Sequence, residues 1–165
     1  MRRLSAIVPK PVLKDVYASL VHPYLIYAVE VWGHARCAKI SKLSSIQNKC
    51  FRLFSTSENL TFISDTNFMY LNSITRFISL IKFFQILFEN RSLFLKEIIS
   101  NFQVNHSHFT RFSANNNLLC PPCNLSIRQF SFLYKTIKYW NDLPIEIRST
   151  QFLPIFKRKL RLYFN

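Results

Sequence analysis

A single glycine, Gly33, stands among 165 residues, far below the usual ~7%. Hairpins and tight turns draw on glycine for left-handed backbone, and phosphate-cradling loops need several. The scarcity argues for a helical chain and excludes a glycine-rich nucleotide loop. Acids are thin as well, with eight Asp and Glu against 22 Lys and Arg. The only aspartates are Asp15, Asp65 and Asp142, and none adjoins another acid. Two-metal phosphoryl or nucleotidyl transfer needs carboxylates converging on cations ~4 Å apart, so that chemistry has no candidate. Long apolar runs are missing too. The most apolar stretch, FISLIKFFQILF from Phe77 to Phe88, contains Lys82 and falls short of the roughly 20 residues of a bilayer span. At the N-terminus, MRRLSAIVPKPVLKD reaches Pro9 and Lys10 too soon for a signal peptide. The expectation is an intracellular protein, nuclear or cytoplasmic, whose four cysteines are reduced thiols rather than disulfides.

What is present is positive charge. A formal net charge of +14 sets up a field that favours polyanions, nucleic acid first and anionic membrane second. Seventeen phenylalanines look like a stacking inventory, yet an AT-biased coding sequence, also rich in Ile, Asn and Lys codons, gives the same mixture. The length accommodates one domain or two small helical subdomains with an apolar core.

Helical spacing organises most of the chain. Residues 11–33 read as a helix or kinked helix pair, with Pro11 in the first turn, Val12, Val16 and Leu20 on one stripe, and Leu13 and Tyr17 beside it. Pro23 kinks or restarts it, and Gly33 stops it. A second helix spans about 39–54, where Ile40, Leu43, Ile46, Gln47, Cys50, Phe51 and Phe54 sketch one face. At 100° per residue, Lys39, Lys42, Lys49 and Arg52 share an arc of roughly 140° on the other side, either a solvated face or a phosphate-facing one. Residues 56–67 read as a linker between two helical halves, 1–55 and 68–165. In the latter, two helices break near Asn90 to Ser92, with Ser92 as a cap. A loop-rich stretch covers 103–125. The last helix is expected after a Ser149 or Thr150 cap, docking through Phe152, Phe156, Leu160 and Phe164 and turning Lys157, Arg158 and Arg161 outward. The predicted fold class is mainly α.

Few constellations carry chemistry. Cys120 and Cys123 have the spacing of a zinc knuckle, and His106 and His108 lie upstream, but the histidines precede the cysteines and Pro121-Pro122 stiffens the loop. Ordinary loop thiols are the plainer account. No nucleophile has a patterned partner. The chain reads as a non-enzyme without a cofactor, its cationic helices and interleaved rings suited to gripping a nucleic-acid backbone.

The ordered motifs carry a resemblance. LKDVYASLVHPYLIYAVEVWGHA (Leu13 to Ala35), then KLSSIQNKCFRLF (Lys42 to Phe54), resembles the region just downstream of the catalytic palm in reverse transcriptases of non-LTR retrotransposons, the LINE-like and jockey-like class. The matching positions are Tyr17, Pro23, Tyr27, Trp32, Gly33, Gln47, Lys49 and Arg52. HSHFTR (His106 to Arg111), SIRQFSFLYKTIKYWNDLP (Ser126 to Pro144) and FKRKLRLYF (Phe156 to Phe164) are similar to that family's C-terminal tail, through Arg111, Trp140, Asn141, Leu143, Pro144 and Phe156.

The resemblance covers nearly the whole chain. It implies a helical thumb at 1–55, then a basic C-terminal extension, together binding RNA or an RNA-DNA duplex without sequence preference, beside a palm this chain lacks. The palm's Asp-Asp signature, which in the family holds Mg, is absent, as are the fingers and endonuclease, so polymerase activity does not carry over. A family-typical glycine after Tyr27 is Ala28 here, a replacement that favours helix. Two alternatives stand beside nucleic-acid binding: a degenerate element remnant without activity of its own, and a basic amphipathic protein on membrane surfaces.

Overall fold

Ten helices and no strand occur among the described residues of a computed structural model, which are 7–35, 38–54, 69–102 and 117–164. The mainly α expectation is met. The expected linker 56–67, Cys37, His106, His108, Arg111, the side chain of Phe54 and the first six residues lie outside that set. The chain divides into two compact units between Thr75 and Arg76.

The first unit begins with α1, Lys10–Leu20, with Pro11 in its first turn, where a missing N–H costs nothing. Leu13 and Tyr17 are buried, whereas Val12 and Leu20 are exposed. Of the two stripes legible in the sequence, the fold uses only one. Helix α2, His22–Ile26, restarts the chain with Pro23 in its own first turn, and α3, Val29–Trp32, follows.

Between them Ala28 has φ 49° and ψ 29°, the left-handed region. This corrects the expectation that alanine suits the position: helix propensity does not apply here, and a Cβ costs roughly 1–2 kcal/mol in that conformation. Ala28→Gly is expected to raise the unfolding free energy by about 0.5–1 kcal/mol, the strain relieved less the glycine's extra unfolded-state entropy. A urea curve shifted upward at constant slope is the readout.

Gly33 closes α3 with φ −67°, so its role is space, not conformation. A Cβ there would lie 2.5 Å from the Val29 carbonyl oxygen and 2.7 Å and 2.8 Å from the Oγ1 and Cγ2 of Thr75.

Helix α4, Ala38–Phe54, is the longest of this unit. It buries Gln47, Cys50 and Phe51 and half-buries Ile40 and Leu43. Ile46, expected on that face, is 54% exposed, because it lies at the rim of the arc that the neighbouring helices cover. Cys50 and Phe51 join Leu13, Tyr17 and Leu25 in one apolar cluster, with the Phe51 ring edge-on to Tyr17 at 5.6 Å and to Tyr70 at 5.4 Å. Gln47, 1% exposed, ties three segments together. Its Nε2 donates to the Tyr17 hydroxyl and the Met69 carbonyl, both at 3.2 Å, and its Oε1 accepts from the Leu71 N–H at 2.7 Å.

Helix α5, Leu71–Phe88, extends from there through the division. It is the one helix among the described residues long and apolar enough to cross a membrane by length and composition, and half of it is buried in protein. Asn90, at φ 53°, takes the left-handed turn that asparagine tolerates. Ser92 then caps α6, Leu93–Ser100, accepting from the Leu95 N–H, as the sequence predicted.

In the second unit α7, Ser126–Gln129, and α8, Phe132–Asn141, lead through Pro144 into α9, Ile145–Arg148. Helix α10 runs Leu153–Phe164. It starts later than a Ser149 or Thr150 cap would place it: Phe156 N–H bonds the Phe152 carbonyl, and Pro154 occupies the first turn. Thr150 instead donates to the Glu146 carbonyl and accepts from Lys159 Nζ. Phe156 and Leu160 are fully buried, and Phe164 packs against the same cluster as Phe83, Phe84, Ile137 and Trp140. Phe152, expected to dock, is 66% exposed, because it precedes the helix and the stripe begins only with Phe156.

The Trp-Asn-Asp-Leu-Pro corner is structural. Trp140 and Leu143 are buried, with the indole 5.5 Å from the Phe83 ring and 6.0 Å from Phe156. Asn141 pairs with the backbone of Leu118, accepting its N–H at 2.9 Å and donating to its carbonyl at 2.8 Å. One side chain there does the work of a strand partner. Pro144, at φ −55°, occupies the position just before α9.

Candidate nucleic-acid interface

On α4 the four predicted cations, Lys39, Lys42, Lys49 and Arg52, are all exposed. Gln47 and Phe51 point into the first unit, so the helix presents charge on one side and core on the other. Four positive groups within an arc of roughly 140° over about 20 Å of helix make a row whose spacing can follow successive phosphates.

On α10, Lys157, Arg158 and Arg161 are exposed as expected. Lys159 is half-buried and donates to the Glu146 carbonyl at 2.7 Å, so it ties α10 to α9. Arg111 lies outside the described residues. Each cationic row is therefore a property of one helix in one unit.

The motif residues outside these rows are mostly framework. Tyr17 is buried on Gln47, and burial pushes its phenol pKa up, an effect the Gln47 hydrogen bond partly opposes. Tyr27 is 79% exposed, while its carbonyl accepts from Trp32 Nε1 at 2.7 Å, bracing the turn at Ala28.

Of the zinc candidates, His106 and His108 lie outside the described residues, and among the described residues no group of three His, Cys, Asp or Glu that could hold a metal occurs. Cys120 is exposed and Cys123 half-buried. Neighbouring chain pushes the Cys120 thiol pKa up, and Lys138 only partly offsets this, so it is a poorer thiolate than a free cysteine. Burial does the same to Cys50. Neither is set up as a nucleophile.

Sequence reasoning passed over α8. Lys138 lies over the Tyr134 ring at 4.9 Å, Lys135 over Phe130 at 5.0 Å, and Arg76 over Tyr139 at 5.0 Å. The signal was there in Tyr134 and Lys138, four residues apart, but spacing alone does not tell a ring under a cation from a ring in a core.

No family model matches the chain, and no curated protein or solved structure does either.

Proposed function

We propose that this chain is a non-catalytic nucleic-acid-binding module that grips RNA or an RNA-DNA duplex through backbone contacts, as the thumb and tail of a non-LTR retrotransposon reverse transcriptase would. The observation that carries the reading is the cationic row of Lys39, Lys42, Lys49 and Arg52 on the solvent side of α4. Two further features support it. The glycine typical of the resembled family after Tyr27 coincides with the left-handed backbone at Ala28, and Gly33 fills a site with no room for a Cβ.

Each phosphate neutralised contributes about 0.9 to the slope of log affinity against log salt on a duplex. Changing Lys39, Lys42, Lys49 and Arg52 together to Gln is therefore expected to lower that slope by about 2 to 4, with the helical circular dichroism spectrum retained. An unchanged slope in a folded variant would remove α4 from the interface.

A second reading, a degenerate remnant with no activity of its own, is favoured by the exposure of Tyr24 at 80%, with Leu20, Tyr27 and Val31 also open. Apolar surface of that kind ordinarily meets a partner or causes association. The same assay separates the two readings, because a remnant shows no salt-dependent preference for duplex over other polyanions.

A further inference from the structure

The outward side of α8 carries neither of the cationic rows described above, yet it has a consistent chemistry. At 100° per residue, Tyr134, Lys138, Lys135 and Tyr139 fall in that order across an arc of roughly 140°. Thr136, Ile137 and Trp140 occupy the opposite, buried side. Three half-buried rings of this neighbourhood, Phe130, Tyr134 and Tyr139, each lie under a cation at about 5 Å, and Tyr139 also packs against the apolar cluster of this unit. From Ser126 to Asp142 the sequence contains one acid, Asp142 itself, exposed at the C-terminal end of α8.

We propose that this face binds an unpaired nucleic-acid strand, its rings stacking bases while Lys135, Lys138 and Arg76 take the phosphates between them. The proposal rests on the nucleic-acid reading above and adds a substrate class, single strand, and a second surface.

Charge and ring chemistry together select that occupant. Three cations, Lys135, Lys138 and Arg76, against one acid, Asp142, call for an anion, and rings that alternate with the cations call for an anion with flat faces at short intervals. An anionic membrane would use aliphatic side chains; the outward arc of α8 has none, and the exposed Leu125 and Ile127 belong to α7 and the residue before it. An acidic peptide would engage the lysines and leave the rings idle.

The resting pairs are compatible with exchange. An exposed cation over a ring contributes roughly two- to five-fold to an equilibrium, whereas a stacked base contributes roughly five-fold or more. An incoming base displaces the ammonium from the ring face, and the freed cation meets the phosphate that arrives with the base.

The test is fluorescence anisotropy of the full chain with labelled oligouridylate, an RNA-DNA duplex, and heparin or polyglutamate as competitors. Tyr134→Leu is expected to weaken oligouridylate binding about five-fold or more while leaving duplex affinity within two-fold, and Tyr134→Phe is expected to keep wild-type affinity. Lys135→Ala with Lys138→Ala leaves the buried side of α8, Thr136, Ile137 and Trp140, untouched, so it keeps the question answerable should the leucine variant not fold. It is expected to weaken oligouridylate binding and shrink its salt slope by about 1 to 1.5, at roughly 0.7 per phosphate on single strands. Wild-type affinity for oligouridylate in either Tyr134→Leu or the double lysine variant, with duplex binding intact, would overturn the α8 proposal alone. So would equal competition by polyglutamate. A wild-type chain that binds oligouridylate but no duplex would instead overturn the α4 reading and leave this one standing.

Discussion

Truncating Phe156 to alanine is expected to lower the unfolding free energy by about 3–5 kcal/mol, the range for a fully buried aromatic ring whose site cannot collapse. Its ring stacks on Phe84 with centroids 4.5 Å apart and planes 22° apart, and lies 6.0 Å from Trp140. Three elements, α5, α8 and α10, meet at that side chain. Their rings cannot follow a vanished neighbour without leaving their own contacts, so a cavity remains. Phe152→Ala is the matched control. That side chain is mostly exposed, and its removal is expected to cost no more than about 0.5 kcal/mol. Urea unfolding followed by tryptophan fluorescence gives both values. Equal effects from the two substitutions would mean that α10 does not dock through Phe156.

Gln47→Leu is expected to cost about 2–4 kcal/mol, although leucine is apolar and of similar size. The loss comes from what stays behind: the Leu71 N–H, the Met69 carbonyl and the Tyr17 hydroxyl each lose a bond to Gln47, and an unsatisfied buried polar group costs about 1–3 kcal/mol. A hydrophobic-transfer argument predicts the opposite sign, so a leucine variant as stable as the wild type would contradict the hydrogen-bonded arrangement. The same site governs alkaline behaviour. Burial holds the Tyr17 phenol above its ordinary pKa, so the folded state keeps a proton that the unfolded state releases. Stability from this group is fully present below about pH 10 and falls as pH rises through the folded-state value. Losing the Gln47 bond, which favours the phenolate, moves the Tyr17 titration further upward.

Much of this was legible in the chain. The 3.6-residue period and the outward side of Lys39, Lys42, Lys49 and Arg52 follow from spacing alone, and Ser92 announces its helix because a hydroxyl before an apolar run satisfies a free N–H. Other features depend on partners distant in sequence. Asn141 looks like a turn residue until Leu118, 23 positions earlier, arrives beside it. Ile46 and Phe152 fit an apolar stripe, but a stripe records which side faces inward and not how far the neighbouring helices extend over it. Ala28 misleads because helix propensity assumes helical backbone, and the reversal of φ at this position comes from the need to join α2 and α3. The α8 rings were hidden by their own hydrophobicity, since a tyrosine under a lysine and a tyrosine in a core look alike in a sequence.

The most direct measurement is fluorescence anisotropy of the purified chain against an RNA-DNA duplex and against heparin, over a salt series at matched charge. Backbone gripping by the α4 and α10 rows predicts tighter binding to the duplex and a log-log slope of about −0.9 for each phosphate neutralised. Equal affinity for heparin and duplex would contradict it, leaving positive charge without a nucleic-acid-shaped surface.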